Sequence, residues 1–540
     1  MIHRNRMLAA ISIIFLVLLS ACETQQQTVN KSSSQMPDII GKNYIDLNVI
    51  SGLKSENYQV NLYDTFWTIK TLEYLGIEVP GKDKILTRMD KIDIFTAESK
   101  DIGIENPKLL NILMYIGTID SLDGEISKET RDKINEFLKQ DKETLQEDMD
   151  PNFAEQVKLE IYNILKEEPN YKIHKGNAEE INYYYKLSLL RKLNEKEKSD
   201  VNKITIDNEK YEPLELITKY YQLAKVFELN KIKKEVTIPD TLKIENITLN
   251  DLLLANSQAL YRVIYINEVS DSISKKEKEL IRDFYIKSFE SWGWGPSSEL
   301  LGFFSTYSGL EIMSYRNELE KLNLIGINNF LSNYSVGLVN KANFELSDLL
   351  NLRSFIKTLK IMENDDYDER ISKVLEMQIE KLNKNKDIDY KEVSLIVENI
   401  LLLDRLEIFE SLTPETKKKI SGIIKTRSSI DNVLPNLFDT ILLQIASGEL
   451  TETDKKALVS KLFEFKVNDG GFSHKIDSGL STIESTILAV QMLYYLNINT
   501  GYSSDIKSTK HYLEDQLESN KTKENLILYG QITSALKYIK

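Results

Sequence analysis

The sequence predicts an all-α protein built from αα-hairpin repeats of about 45 residues. Three observations lead to this fold class. The chain of 540 residues contains only 10 Pro and 21 Gly, too few for an all-β protein rich in tight turns. After about Asn43, apolar residues recur at the i, i+3, i+4 and i+7 spacing of helices, and strand-like alternation is rare. A leucine-led apolar motif also returns at a nearly regular interval, which is typical of stacked helical hairpins.

The composition excludes several classes of function. The formal charge of −14 does not suggest a nucleic-acid-binding surface, so we expect no nucleic-acid partner. Cys22 is the only cysteine, which excludes a disulfide framework and any multi-cysteine zinc or iron–sulfur site. The four His are well separated in the sequence. We therefore expect neither a metal nor a cofactor.

The N-terminus is typical of a targeting segment. Basic residues precede an apolar run over 7–19, which is too short to span a bilayer as a mature anchor. The run ends in Leu-Ser-Ala-Cys, which resembles the lipobox of bacterial lipoproteins, with Cys22 at the acylated position. The resemblance implies a signal peptide over 1–21 and a cell-membrane anchor on the extracytoplasmic face, through acyl chains on Cys22. Residues 22–42 would then be the lipidated Cys and a flexible tether. The alternative is an ordinary secretory signal that leaves an unpaired thiol.

A repeated helical segment organises the rest of the chain. Residues 62–77 and 483–498 align without gaps, with Thr, Leu, Tyr and Leu in register. The weaker motif Leu-x-aromatic/aliphatic-aliphatic starts at Leu72, Leu113, Leu159, Leu187, Leu310, Leu359, Leu406, Leu443, Leu493 and Leu536, and poorly at Leu260. The interval is broken between Leu187 and Leu260, where the chain is charged and contains two Pro. We therefore expect an N-terminal helical repeat domain over 43–250 and a C-terminal domain over 251–540.

A glycine-rich loop before the second of these segments suggests a family. The string from Asp469 to Leu496 resembles the repeat of the prenyltransferase, squalene-cyclase and terpene-cyclase superfamily: a Gly-Gly-Phe loop, a polar stretch and a Thr that opens an inner helix. Residues 291–296 resemble a degenerate copy of the loop. The resemblance implies an α/α toroid, in which inner helices surround a cavity and outer helices wrap it. The six motif starts from Leu310 to Leu536 suffice for one closed ring.

The catalytic motifs of that superfamily are absent from this sequence. Its zinc site needs a Cys, yet Cys22 lies outside the repeats, and its Asp-x-Asp-Asp string does not occur. The nearest acidic cluster, 365–368, lies between two repeats and is expected to be a solvated turn. We therefore expect the toroid to bind a ligand or a protein. The cavity ligand could be a glycan, a lipid or a protein.

Two enzyme classes are alternatives. A toroidal glycosidase or polysaccharide lyase would need two carboxylates, or a base with Tyr or His, in an aromatic cleft. The candidate carboxylates are Asp64, Glu299, Glu311, Asp477 and Glu484. The candidate binding residues are Tyr63, Trp67, Trp292, Trp294, Tyr307 and His474. A divergent isoprenoid cyclase-like enzyme would instead need an apolar cavity with a single acid. Against both alternatives, most acids in a chain of this kind are solvated, and Trp and Tyr at helical spacing are more often packing residues.

Overall fold

A computed structural model describes most of the repeat region. The described residues are 37–46, 50–56, 58–96, 102, 107–139, 149–169, 173, 180–233, 236–243, 256–268, 273–339, 341, 344–385, 387–427, 432–448, 450–497, 503–519, 522 and 524–539. The predicted signal peptide, Cys22 and the tether as far as residue 36 lie outside the described residues. The lipid anchor therefore stays a prediction.

The described residues are mostly helical, with two short two-stranded sheets. The elements up to residue 288 are α1 (Asp38–Asn43), β1 (Tyr44–Asp46), β2 (Ser51–Leu53), α2 (Leu62–Tyr74), α3 (Lys82–Met89), α4 (Lys108–Ser121), α5 (Lys128–Leu138), α6 (Pro151–Leu165), α7 (Glu180–Leu190), α8 (Glu195–Val201), α9 (Pro213–Asn230), α10 (Ser257–Glu268) and α11 (Lys275–Ser288). Those that follow are α12 (Phe303–Tyr315), α13 (Leu324–Val339), α14 (Leu346–Ile361), α15 (Asp368–Lys384), α16 (Tyr390–Leu403), α17 (Pro414–Arg427), α18 (Leu434–Ser447), α19 (Glu452–Phe463), β3 (Phe472–Ser473), β4 (Ser481–Thr482), α20 (Ile483–Tyr495), α21 (Ser503–Glu518) and α22 (Leu526–Tyr538). The predicted all-α class is confirmed.

Six helices in the first half contact one another in a closed cycle, which we call the first ring. α2 contacts α4, α4 contacts α6, α6 contacts α7, α7 contacts α9, α9 contacts α10, and α10 returns to α2. Ring helices are buried nearly all round: α4 is buried at every position from Asn111 to Ile119. The helix that follows it, α5, buries only Ile134 and Leu138. This contrast is expected when one helix is surrounded by protein and its neighbour faces water on one side.

A second closed cycle, the second ring, occupies the rest of the chain. α12 contacts α14, and the contacts continue through α16, α18, α20 and α22 back to α12. The helices between them lie against the ring. α15 packs on α16 through a single apolar stripe, and α17 packs on α18. In this second half the described chain therefore alternates between ring helices and helices that cover them, as in αα-hairpin repeats.

The motif starts locate most ring helices, with two failures. Five of the six starts assigned to the second ring lie in ring helices, but Leu406 follows α16 in a 3₁₀ segment, Leu406–Ser411, and is 52% exposed. In the first ring the interval appeared broken because α9 carries Lys225 at the third motif position, where an apolar residue was required. Lys225 lines a cavity in the first ring, so a polar residue is tolerated at that position.

Three loops share one way of fastening a ring helix. In each, the N–H that follows a glycine donates to the buried hydroxyl of a Thr in the first turn of a ring helix, and any β-carbon on the glycine would collide with its surroundings. The pairs are Leu53 with Thr306 (2.9 Å), Trp294 with Thr65 (3.0 Å) and Phe472 with Thr486 (2.9 Å). The degenerate copy of the loop expected over 291–296 therefore makes the same hydrogen bond as the Gly-Gly-Phe loop.

The hydrophobic cores divide the chain differently from the predicted domains. One apolar cluster runs from Ile45 to Leu300, and another runs from Phe303 to Leu526 and also includes Ile40 and Leu53. α10 and α11, which lie beyond the predicted boundary at 250, thus pack with the first ring. Conversely, α1 lies at the end of the predicted tether, and its Ile40 is fully buried in the core of the second ring. The chain therefore contributes to the second ring both before and after it builds the first.

Candidate functional site

The Gly-Gly-Phe loop has a structural role. Gly470 has φ of 94°, a conformation that residues with a β-carbon rarely adopt. The Asp469 carboxylate accepts hydrogen bonds from the Gly471 N–H (3.0 Å) and from Ser481. Phe472 is fully buried, and its N–H donates a hydrogen bond to the Thr486 hydroxyl. Asp469 therefore caps the turn, Phe472 fills the end of the hairpin and Thr486 provides an acceptor for a backbone N–H.

The sequence candidates with a carboxylate are scattered over the molecule. Glu299 is exposed in a short 3₁₀ helix, Ser297–Glu299, and Asp477 is exposed on a loop. Glu484 is exposed at the rim of a cavity in the second ring. Asp64 is buried and accepts hydrogen bonds from Asn61 and Ser257, which tie the starts of α2 and α10 together. Burial raises the pKa of Asp64, and those two hydrogen bonds oppose the rise.

The aromatic candidates also separate into two groups. Trp294 is 1% exposed, and its indole donates to the Tyr285 carbonyl (2.8 Å), so it is a packing residue. Trp292 is half-buried, with the Arg88 guanidinium over its ring. Neither lines a cavity described here.

The remaining candidates lie in different parts of the two rings. Trp67 lines a cavity in the first ring, with Tyr63 edge-on to it at 6.4 Å between ring centres. Tyr307 lines a cavity in the second ring. His474 is exposed on the loop that also carries Asp477.

The second ring contains a cavity of about 290 Å³ that is partly open to solvent. Its lining combines cationic, hydroxyl, amide and aromatic groups. The lining residues are Phe304, Tyr307, Ser308, Arg353, Ser354, Lys357, Glu484, Ile487, Leu488, Gln491, Ile527, Gln531 and Ser534. Three sequence candidates therefore meet here: Tyr307 and Glu484 in the lining, and Glu311 directly behind it.

Glu311 fastens α12 to α22 behind this lining. Its carboxylate is 4% exposed and accepts hydrogen bonds from Tyr307 (2.9 Å), Ser534 (3.0 Å) and Lys537 (2.6 Å). Burial, followed by the Glu311 charge, raises the pKa of Tyr307 well above its ordinary value. Every oxygen of this carboxylate is thus engaged.

Glu398 makes a matching connection across the ring. It is 1% exposed, and it binds the Arg353 guanidinium (3.1 Å) and the Tyr495 hydroxyl (3.1 Å). These contacts link α16 to α14 and to α20. The Glu398 charge holds the pKa of Arg353 above its ordinary value.

Lys357 is the unusual group in this cavity. It lies one helical turn after Arg353 on α14 and is 9% exposed. Among the residues that the structure describes, no hydrogen bond or ion pair is found for its amino group. Burial and the Arg353 charge lower the pKa of Lys357, while the charges of Glu398 and Glu311 oppose the shift. A largely buried lysine without such a partner is rare, because loss of hydration destabilises its charged form.

The first ring contains a smaller cavity of about 180 Å³ that is also partly open to solvent. Its wall includes the rings of Trp67, Tyr185, Tyr221 and Tyr261, with Glu160 among them. The Glu160 carboxylate accepts hydrogen bonds from Gln156 and Tyr185, both at 3.0 Å, and burial raises its pKa.

Sequence reasoning missed Arg353, Lys357 and Glu398. The signal that could have found them is a charged residue inside an otherwise apolar stretch. Arg353 and Lys357 stand four residues apart within Leu-Arg-Ser-Phe-Ile-Lys-Thr-Leu, and Glu398 follows Leu-Ile-Val. On a helix that is buried all round, such a residue is paired or faces a cavity.

Comparison with known proteins does not assign this chain to a family. No protein-family model matches the chain, and no curated protein matches it. Within the described residues, no helix is both long and apolar enough to cross a membrane. The resemblances to lipoproteins and to the toroid superfamily therefore stay predictions.

Proposed function

We propose that this protein is an extracytoplasmic lipoprotein, held at the cell membrane by acyl chains on Cys22, whose second ring is an α/α toroid that binds a ligand in its cavity. The closed cycle of helix contacts supports the toroid. The Leu-Ser-Ala-Cys string supports the anchor. The observation that carries the binding function is Lys357, which is only 9% exposed and lines a partly open cavity, and whose amino group has no hydrogen bond or ion pair among the described residues.

A lysine such as Lys357 does not contribute to the stability of a ring that serves only as a scaffold. Replacing buried ionic groups by apolar residues of similar volume is often neutral or stabilising. Elsewhere in the ring, buried charges are neutralised: Glu311 has Lys537, and Glu398 has Arg353. Lys357 therefore lowers the stability of the empty protein, and a bound ligand that pairs with it accounts for its presence.

The described geometry does not favour isoprenoid cyclisation. The first cavity has the required aromatic wall and a single carboxyl group, Glu160. Lys225 lines the same cavity, and the Arg262 guanidinium lies 5.5 Å from the ring centre of Tyr221. Carbocation intermediates would be repelled by these cations.

A carbohydrate-active enzyme is the second candidate function. It is favoured by Glu484 on the rim of the second-ring cavity and by the two buried carboxylates, Glu311 and Glu398, behind its wall. An enzyme of this kind would release reducing ends or unsaturated products from a polysaccharide, and Glu484→Gln would abolish the release. Absence of product from the wild-type protein across cell-wall and environmental polysaccharides would remove this candidate.

Thermal shift measurements on the mature protein test the binding function. The probes are neutral sugars, uronic acids, fatty acids and short peptides, because the cavity ligand class is open. A ligand at about 100 times its Kd stabilises the folded state by about 2.7 kcal/mol, which raises Tm measurably. Gln491→Phe places an aromatic ring in the cavity and should abolish the shift. The proposal is overturned if no probe raises Tm, or if Gln491→Phe responds as the wild type does.

A further inference from the structure

We infer that the second-ring cavity recognises the carboxylate of a small hydroxylated monoanion, such as a uronic acid, between Arg353 and Lys357. This inference rests on the proposed binding function and names its ligand class. Both side chains line the cavity and stand four residues apart on α14, so they project from the same face of the helix.

The two cations have unused hydrogen-bonding capacity. A guanidinium has five N–H donors, and the structure shows Arg353 donating from Nη1 to Glu398. The Lys357 ammonium has three donors, and within the described part of the chain none meets an acceptor. A carboxylate between them would receive charge-assisted hydrogen bonds, which are stronger than neutral ones.

The charge balance of the cavity favours a monoanion. Three cations, Arg353, Lys357 and Lys537, lie in or directly behind the wall. Two buried carboxylates, Glu311 and Glu398, offset two of them. Among the buried groups one positive charge is therefore left over, which a single carboxylate neutralises, whereas Glu484 is exposed at the rim. A doubly charged phosphate would leave an excess negative charge, with Glu484 on the rim opposing it.

The rest of the lining fits a hydroxylated molecule. The hydroxyl groups of Ser308, Ser354 and Ser534 and the amides of Gln491 and Gln531 both donate and accept, as sugar hydroxyls require. Tyr307 and Phe304 provide aromatic surface. The volume of about 290 Å³ lies just below the usual range for ligand pockets, about 300–1,000 Å³, which suits a compact ligand.

Titration calorimetry on the mature protein tests this inference with four probes: D-glucuronate, D-glucose, acetate and inorganic phosphate. We expect D-glucuronate to bind at least tenfold more tightly than each of the others. Lys357→Met should weaken D-glucuronate binding by about 10- to 100-fold, because it removes a hydrogen bond to a charged group. Lys360→Met, an exposed residue of the same helix, is the matched control and should leave the affinity unchanged.

The possible outcomes distinguish the failure of the carboxylate site from the failure of the proposed ligand-binding function. Equal affinity for D-glucose and D-glucuronate, tighter binding of phosphate, or an unchanged affinity in Lys357→Met would overturn the carboxylate site while leaving the ligand-binding function intact. Binding of none of the four probes would overturn the carboxylate site. The proposed binding function itself is judged separately, by the wider thermal-shift panel and its Gln491→Phe control. Lys357→Met removes a buried charge, so loss of folding is not expected to obscure the result.

Discussion

Replacing Lys357 by methionine should make the ligand-free protein more stable. The substitution keeps an unbranched side chain of similar length in a residue that is 9% exposed, and it removes an amino group that has no hydrogen bond or ion pair among the described residues. Exchanging buried ionic groups for apolar ones stabilises proteins by about 1–4 kcal/mol. Lys357 retains 9% exposure, so we expect a gain of about 1–3 kcal/mol at pH 7, toward the lower part of that range. For a ring of this size, Tm should rise by about 2–10 °C.

The lowered pKa of Lys357 also determines how the stability of the folded protein changes with pH. The folded-state pKa of Lys357 is lowered, so between that value and the unfolded value of 10.5 the unfolded chain binds more protons than the folded one. Stability of the wild type therefore rises with pH through this window. The groups that face Lys357 are Arg353, Glu398, Glu311, Lys537 and Glu484. The Arg353 guanidinium keeps its charge in this window, because the Glu398 charge holds its pKa above the ordinary value.

Urea unfolding of both proteins at pH 7 and at pH 9.5, without ligand, measures the two effects. The advantage of Lys357→Met over the wild type should shrink as pH rises, because the wild-type amine loses its charge. Lys360→Met serves as the control, with a change within about 0.5 kcal/mol of zero. A Lys357→Met protein that is less stable than the wild type by more than about 1 kcal/mol would refute the reasoning. It would mean that the Lys357 charge already stabilises the empty ring.

Three further predictions concern the rings and the anchor. Glu398→Gln should lower the free energy of unfolding by about 3 kcal/mol, because it leaves a cation in the ring without its partner; urea unfolding that shows less than 1 kcal/mol would contradict the pairing. Thr306→Val should lower the free energy of unfolding by about 1–3 kcal/mol, because it leaves the buried Leu53 N–H without a hydrogen-bond acceptor. Thr306→Ser keeps the hydroxyl and should lower it less. Equal losses of unfolding free energy in the two variants would argue against the hydrogen bond. Cys22→Ser should move the protein from the membrane fraction to the soluble fraction and abolish incorporation of an alkyne-labelled fatty acid; persistence of either would exclude the lipid anchor.

The sequence allowed the fold class and much of the helix order to be predicted. The signal was strongest where ring helices are apolar all round, as around Leu310, Leu443 and Leu536, each fully buried. It failed at α9, because a cavity-lining Lys225 replaced an apolar residue in the motif. Where a ring helix faces an internal cavity, polar residues are tolerated, so the spacing of apolar residues no longer predicts which positions are buried.

The domain boundary could not be predicted for a different reason. The second ring takes α1 and β2 from one part of the chain and begins its own helices only at Phe303. Composition detects a linker between consecutive domains, and it does not show that an early segment returns to a later one. The Leu53 N–H donates a hydrogen bond to Thr306, more than two hundred residues away. Nothing in the sequence around Leu53 indicates this contact.

The candidate site was predicted in part. Tyr307, Glu311 and Glu484 were among the candidates and come together at the second-ring cavity, whereas Glu299 is exposed in a short 3₁₀ helix and Asp477 on a loop. The choice among acids depended on which face of each helix meets the cavity, and that is set by how six helices close into a ring. Arg353 and Lys357, which carry the inference about the ligand, stood in the sequence as charges within an apolar helix.

A crystal structure of the mature protein soaked with D-glucuronate tests the central claim most directly. The account predicts electron density in the second-ring cavity for one sugar ring, with its carboxylate within hydrogen-bond distance of both the Arg353 guanidinium and the Lys357 amine. A cavity that stays empty at saturating D-glucuronate, with the Lys357 amine paired to Glu311 or Glu398, would contradict it.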